Sequence, residues 1–196
     1  GGEFASQYAV DFFIKNYSRE EPRNIKKFLE ISFEKINEYI YFKKVSKYNN
    51  VMVGCTIVVL IIKGETAHIA HIGDSRAYIL RDDHLKRLTI DHSYVQLLID
   101  KGELSPENAM FHSKRHVLRK CLGSRLKAKP DYLIQPIISN DKFMLCCDGV
   151  WGFASRQKIK EILINNKPSA ATVKLIDLVK KNSGSDNITL QVISFT

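Results

Sequence analysis

The sequence has no apolar run long enough to span a bilayer. Its longest, residues 51–62, is interrupted by Gly54, Cys55 and Thr56 and stops at Lys63, well short of the ~20 residues a crossing needs. Nor does the start, Gly1-Gly2-Glu3-Phe4-Ala5-Ser6, show a basic segment followed by an apolar one, so no secretory leader is expected. Cysteine is sparse: Cys55, Cys121, Cys146 and Cys147 include no C-x-x-C pair, and three of them sit in apolar runs. They read as reduced thiols of a cytoplasmic protein. With 10 Gly, 5 Pro and 44% apolar residues in 196, the chain is neither collagen-like nor disordered, and its length fits one domain, residues 1–196.

Positive charge is plentiful. Thirty Lys and Arg against 21 Asp and Glu give a formal charge of +9, which favours acidic or phosphorylated partners without specifying a fold. Apolar residues at Ile25, Phe28, Leu29, Phe33, Ile36 and Ile40 recur every three or four positions, predicting a helix over 24–41, and Ala5, Ala9, Phe12 and Phe13 predict one over 3–16. A polar connector at 18–23 makes the two a hairpin. Strands are predicted over 51–62, 66–72, 76–80 and 85–88, then helices from 93 to 102 and from Ser105-Pro106-Glu107. Further strands follow at 132–138 and 142–147, helices at 155–165 and 168–181, the loop Ser183-Gly184-Ser185, and a last strand at 188–195. Blocks of helices and strands in this order predict an α+β fold.

Three carboxylates occupy comparable places. Asp74 and Asp148 each directly follow a predicted strand, and Asp186 directly precedes one. If the last strand runs antiparallel to the other two, all three emerge on one edge. Oxygen-only clusters suit Mg²⁺ or Mn²⁺, while the plainer reading of each Asp is a turn cap. His68 and His71, three apart in a strand, point to opposite faces and so cannot chelate one ion together.

Ordered motifs then carry a resemblance. Met52-Val53-Gly54-Cys55-Thr56, Gly73-Asp74-Ser75-Arg76-Ala77-Tyr78, Asp91-His92-Ser93, Val117-Leu118 before Leu122-Gly123, Asp148-Gly149-Val150-Trp151 and Ser185-Asp186-Asn187-Ile188-Thr189 resemble the motifs of the metal-dependent serine/threonine phosphatases of the protein phosphatase 2C (PPM) family, the bacterial branch above all. The resemblance implies an α-β-β-α sandwich of two mostly antiparallel sheets flanked by helix pairs. It implies hydrolysis of phosphoserine and phosphothreonine proteins, substrates of a serine/threonine kinase, by a hydroxide bridging two Mn²⁺ or Mg²⁺ ions. Carried over by motif, Asp148 and Asp186 hold the core metals, and Asp74 helps Asp148 hold a third, weaker one.

The family's first two strands and its Asp-Gly-x-Gly-Gly-His-type motif have no counterpart here. The chain therefore reads as a phosphatase domain lacking its first few tens of residues, with negligible hydrolysis expected of these 196 residues alone. The alternative is a catalytically degenerate module of the same fold that binds phosphoproteins or a regulatory partner. Residues 112–129 hold Lys114, Arg115, Arg119, Lys120, Arg125, Lys127 and Lys129 with no acidic residue. In the family this stretch follows the mobile flap, so the flap and basic segment fall at about 92–129, with Arg115 and Arg119 as candidate substrate-binding residues; a solvated face is the plain alternative. Nucleic acid is disfavoured because the segment lacks interleaved aromatics.

Overall fold

A computed structural model describes residues 1–17, 22–47, 53–124, 127–182 and 186–195. Most of the predicted connector after the first helix, the opening Val51-Met52 of the predicted strand, Arg125 and the loop Ser183-Gly184-Ser185 lie outside the described residues. The chain divides into two compact units. One comprises Gly1–Lys63, Ala67–Asp74 and Asp91–Ile134, the other Gly64–Thr66, Ser75–Ile90 and Gln135–Thr196.

In the first unit, α1 (Gly2–Tyr17) and α2 (Ile25–Lys47) realise the predicted hairpin. Asn24 starts α2, its side-chain oxygen accepting from the Lys27 N–H at 3.0 Å, the usual task of an N-cap. Ala5, Ala9 and Phe13 from α1 and Leu29, Phe33, Ile36 and Ile40 from α2 form one buried cluster with Ile61, Ala70, Ile72 and Leu122. The helix predicted to end at 41 runs to Lys47, beyond the last residue of its apolar stripe. β1 (Ile57–Lys63) and β2 (Thr66–Ile72) form a hairpin around Gly64, and β5 (Asp131–Pro136) lies on the other side of β2.

The strand expected from 51 begins only at Ile57. Cys55 instead pairs with Leu122 as an isolated antiparallel bridge, and a Cβ on Gly54 would stand 2.5 Å from the Leu122 carbonyl oxygen. That close approach takes the segment out of the sheet. α3 (Tyr94–Asp100) is capped by Ser93 Oγ, which accepts from the Gln96 N–H, and α4 (Pro106–Ala109) is one turn opened by proline.

The second unit is a four-stranded antiparallel sheet in the order β4-β3-β6-β7, built from β3 (Arg76–Arg81), β4 (His84–Arg87), β6 (Lys142–Cys146) and β7 (Leu190–Ser194). Asp82 and Asp83, with φ of 47° and 56°, make the two-residue left-handed turn that matches the twist of a hairpin. After β6 come α5 (Asp148–Trp151), a single turn the sequence pattern did not predict, then α6 (Arg156–Asn165) and α7 (Pro168–Lys181). Ile159, Leu163, Ala171, Leu175 and Val179 from α6 and α7 form one core with Tyr78, Leu80, Met144 and Cys146 of the sheet. Each sheet thus has its own helix pair and its own apolar core, as an α+β fold of two antiparallel sheets flanked by helices requires.

One ion pair fastens the second unit at the β3–β4 turn. Asp141 is buried, and its carboxylate takes Arg81 Nε at 2.8 Å and Nη2 at 2.6 Å while also accepting from the Ile138 N–H at 2.9 Å. Burial alone would push this carboxyl up, but the Arg81 and Ile138 hydrogen bonds hold it below the usual carboxylate range. A folded-state value below the unfolded one gives stability that is present above the unfolded pKa and lost as pH falls through the folded one. Asp141→Asn is therefore expected to cost about 1–3 kcal/mol at neutral pH. In urea unfolding the gap from the wild type should narrow once the pH drops below about 4; a gap that is the same at both pH values would contradict this account.

Candidate functional site

The register of β6 against β7 decides where two of the predicted site residues go. Cys146 pairs with Leu190, so Asp148 just past β6 and Asp186 just ahead of β7 emerge at the same end of the sheet. The two loops are then tied together. Cys147 N–H donates to the Thr189 carbonyl at 3.1 Å, the Cys147 thiol donates to the Asn187 carbonyl at 3.2 Å, and the Thr189 N–H donates back to Cys147 Sγ at 3.3 Å. Gly149 leaves no room for a side chain: a Cβ there would stand 2.1 Å from the Asn187 carbonyl oxygen.

Both carboxylates are oriented by their own backbone. Asp148 Oδ1 accepts from the Gly149 N–H at 3.0 Å, and Asp186 Oδ1 from the Asn187 N–H at 2.7 Å. Asp148 also heads α5. Asp186 is exposed and Asp148 half-buried, so one end of the sheet presents two carboxylates to solvent. On β3, the Arg76 guanidinium stacks 3.4 Å above the Trp151 ring and donates to the Tyr78 hydroxyl at 3.2 Å.

Asp74 belongs to the first unit. It follows Gly73 at the end of β2 and is buried. Gly73 has φ of 101°, and a Cβ on it would overlap Thr56 Cγ2 at 2.2 Å, so both the conformation and the space demand glycine. His92 grips this residue at two points: its N–H donates to the Gly73 carbonyl at 2.9 Å, and its Nδ1 accepts from the Gly73 N–H at 3.1 Å. His92 Nε2 lies 3.1 Å from Asp131 Oδ1, and Lys120 Nζ lies 3.1 Å from the same oxygen. His71 stacks on His92 with ring centroids 4.7 Å apart. Burial, with His92 alongside, pushes the His71 imidazolium down to about 4, so this ring is neutral at physiological pH.

One donor from each of His71, His92 and Asp131 lies within 4.8 Å of the others, a spacing small enough for a metal. The donor chemistry points elsewhere. A neutral imidazole that accepts at Nδ1 carries its proton on Nε2 and has no second lone pair to give. The Lys120 ammonium already bonds the carboxylate of the group. His92, Asp131 and Lys120 form a hydrogen-bonded network about Gly73, with His71 stacked against it. His71 Nδ1, buried without a hydrogen-bonding partner, is the one such side-chain atom among the described residues.

Arg115 and Arg119 are both exposed, on the segment that follows α4. The Arg119 N–H donates to the His92 carbonyl at 2.7 Å, and Tyr94 N–H to the Val117 carbonyl at 2.8 Å, so the backbone of the basic stretch is fastened to the start of α3. Phe111 is exposed as well, at 79%. Within the basic stretch, Lys120 is engaged by Asp131 and the Lys114 ammonium lies over the Tyr94 ring. His68, expected on the face opposite His71, is half-buried and contacts the Tyr132 hydroxyl through Nδ1 at 2.6 Å. The Asp131–His92 pair was not anticipated, because residues 73, 92 and 131 meet only through tertiary structure and no spacing in the sequence marks them.

Two carboxylates at one sheet end offer an all-oxygen donor set, the kind hard divalent cations take. Exposed guanidinium groups on another segment offer fork-shaped donors to a phosphoryl group.

Residues 3–97 match the family described as Protein phosphatase 2C. A serine/threonine phosphatase stp of Listeria innocua is 31% identical over 198 residues, covering 98% of this chain and 78% of that protein. Among solved structures, the Mycobacterium tuberculosis serine/threonine phosphatase PstP/Ppp superposes with a TM-score of 0.91 at 28% identity, covering 98% of this chain and 82% of that one. The catalytic domain of PstP in complex with two manganese ions does so with a TM-score of 0.86 at 27% identity, over the same shares of both chains.

The contact of Gly149 with Asn187 is directly testable. Gly149→Ala forces the Asn187 carbonyl away and is expected to lower stability by about 1–3 kcal/mol, the usual cost of overpacking. Urea unfolding should show a lower midpoint with an unchanged slope. An unaltered midpoint would mean that the two loops are not in contact.

Proposed function

The chain belongs to the protein phosphatase 2C family of serine/threonine phosphatases, and on that premise we propose that Asp148 and Asp186 hold its catalytic divalent cations, Mn²⁺ or Mg²⁺, with Asp74 contributing to a third, weaker ion. The observation that carries the reading is the β6–β7 register, which delivers Asp148 and Asp186 to one sheet end with their loops tied by Cys147. The residues fit the ions: both are carboxylates, and each is oriented by a backbone N–H at Oδ1. Support for Asp74 is its motif and its burial behind Gly73.

Bound cations supply an activated water and neutralise the charge of the phosphoryl oxygens. The protein's own part is positioning. Asp148 and Asp186 fix where the cations stand, and positioning is a large share of any such rate enhancement. Arg115 and Arg119, exposed on the flap and basic segment at about 92–129, bind the phosphorylated segment of a substrate protein. The partners are phosphorylated proteins, read as substrates of a serine/threonine kinase. We take residues 1–196 as one catalytic domain, supported by the 98% of the chain that aligns with the Listeria innocua relative. Among the described residues no helix is long and apolar enough to cross a membrane. The four free cysteines support a working place in the reducing cytoplasm.

The test is release of phosphate from a phosphothreonine peptide by the 196 residues together with whatever sequence naturally flanks them. A chelator is expected to abolish it, and Mn²⁺ or Mg²⁺ to restore it. Asp148→Asn and Asp186→Asn should each lower kcat/KM by about 10²–10³-fold, the several kcal/mol a Lewis acid contributes. Turnover that survives the chelator or Asp148→Asn would overturn the reading. Phosphopeptide binding without turnover would instead identify a binding module.

Charge reversal tests the basic segment separately. Arg115→Glu with Arg119→Glu should raise KM for an acidic phosphopeptide several-fold while leaving kcat within about twofold. The effect should fade as salt shortens the Debye length below about 5 Å; a KM unchanged at low salt would assign the segment to a solvated face.

A further inference from the structure

We propose that His92 is the positioning residue for Asp74: Asp131, held by Lys120, keeps the proton of the His92 ring on Nε2, so that Nδ1 remains an acceptor for the Gly73 N–H and the turn carrying Asp74 is fixed. The proposal rests on the reading of Asp74 as a cation ligand and adds the residues that hold it.

The tautomer follows from the hydrogen-bond pattern. The Gly73 N–H can only donate, so Nδ1, 3.1 Å away, must present its lone pair. A neutral ring then carries its proton on Nε2, where Asp131 Oδ1 receives it at 3.1 Å. Lys120 Nζ, 3.4 Å from Nε2, meets a donor there and turns its own hydrogen bond to Asp131 at 3.1 Å. Burial, followed by the nearby Lys120 ammonium, holds the His92 imidazolium below the usual histidine range, so the neutral ring is the resting form. Burial of Asp131 acts to raise its pKa, yet the Lys120 and His92 hydrogen bonds hold it below the usual carboxylate range, which leaves it an anion able to accept both.

The network reaches in two directions. On the Asp74 side, both backbone groups of Gly73 are bound to His92, at a residue whose φ of 101° suits glycine and few others. Toward the basic segment, the His92 carbonyl receives the Arg119 N–H at 2.7 Å. One residue thus links the backbone ahead of Asp74 to the backbone of a candidate phosphate-binding arginine. His71, stacked 4.7 Å away, keeps the ring plane from tilting.

The experiment uses the full chain and has two arms. Long-range proton–nitrogen correlation spectra of the wild type should show His92 protonated at Nε2 and bare at Nδ1; a proton on Nδ1 would overturn the proposal. Mn²⁺ binding, followed by electron paramagnetic resonance, then compares variants. Glutamine places its amide where Nε2 lies and loses the Nδ1 acceptor, whereas asparagine keeps an acceptor near Nδ1. His92→Gln should weaken the weakest class of Mn²⁺ by about 10–100-fold, the usual effect of losing an outer-shell partner. His92→Asn should keep that affinity within about fivefold of wild type, and Asp131→Asn should fall between. Asp74→Asn serves as the reference. If it weakens Mn²⁺ while His92→Gln does not, the positioning role is wrong. If Asp74→Asn itself changes nothing, the reading of Asp74 fails and the proposal with it. Equal loss in the Gln and Asn variants, accompanied by a lowered urea midpoint in both, would reduce His92 to a packing residue and so also overturn it.

Discussion

The pairing of β6 with β7 is the constraint from which the proposed site follows. Five residue pairs, from Lys142 with Ser194 to Cys146 with Leu190, bring together segments more than forty positions apart. The same strand pairs with β3 on its other side, so β6 is central and its register is fixed by neighbours on both edges. Side chains alternate across a strand, and a slip of one residue would turn Met144 and Cys146 out of the core they share with α6 and α7. Burial of that core therefore protects the alignment of Asp148 and Asp186, although neither touches it as a packing residue.

The carboxylates are held by different physics. Asp148 and Asp186 stand on loops that meet through a thiol, a carbonyl and a glycine without a side chain, and each is aimed by the N–H of its own successor. Asp74 is buried, and the residue ahead of it is clamped from the side by an imidazole. The first arrangement is local and solvent-facing, which suits a site that exchanges ions and phosphate with water. The second draws on segments scattered over some sixty residues, so it forms only when the first unit is complete.

Much of this was readable from residue patterns. The spacing of Leu29, Phe33, Ile36 and Ile40 specified α2, the strand predicted over 66–72 matched β2 to the residue, and Pro168 and Lys181 bounded α7 as expected. Errors fell where tertiary contact overrides local preference. The β-branched run that looked like a strand from 51 is interrupted by the meeting of Gly54 and Cys55 with Leu122, a partner no local pattern identifies. α5 was missed because four residues are too few to show a period. At the site, the motifs pointed to Asp148 and Asp186 because both flank strands, while the bonds from His92 to Gly73 and Asp131 have no periodic signature at all.

Lys142 adds a last consequence. Its ammonium donates to the Leu163 carbonyl at 2.6 Å and the Asn166 carbonyl at 3.0 Å, so one cation closes the C-terminal end of α6, where the helix dipole favours positive charge. An amine engaged in this way is a poor nucleophile toward acylating reagents and reacts only when its hydrogen bonds open. The chain therefore carries its own chemical clock: the rate at which Lys142 becomes acylated reports how often the end of α6 lets go of the sheet.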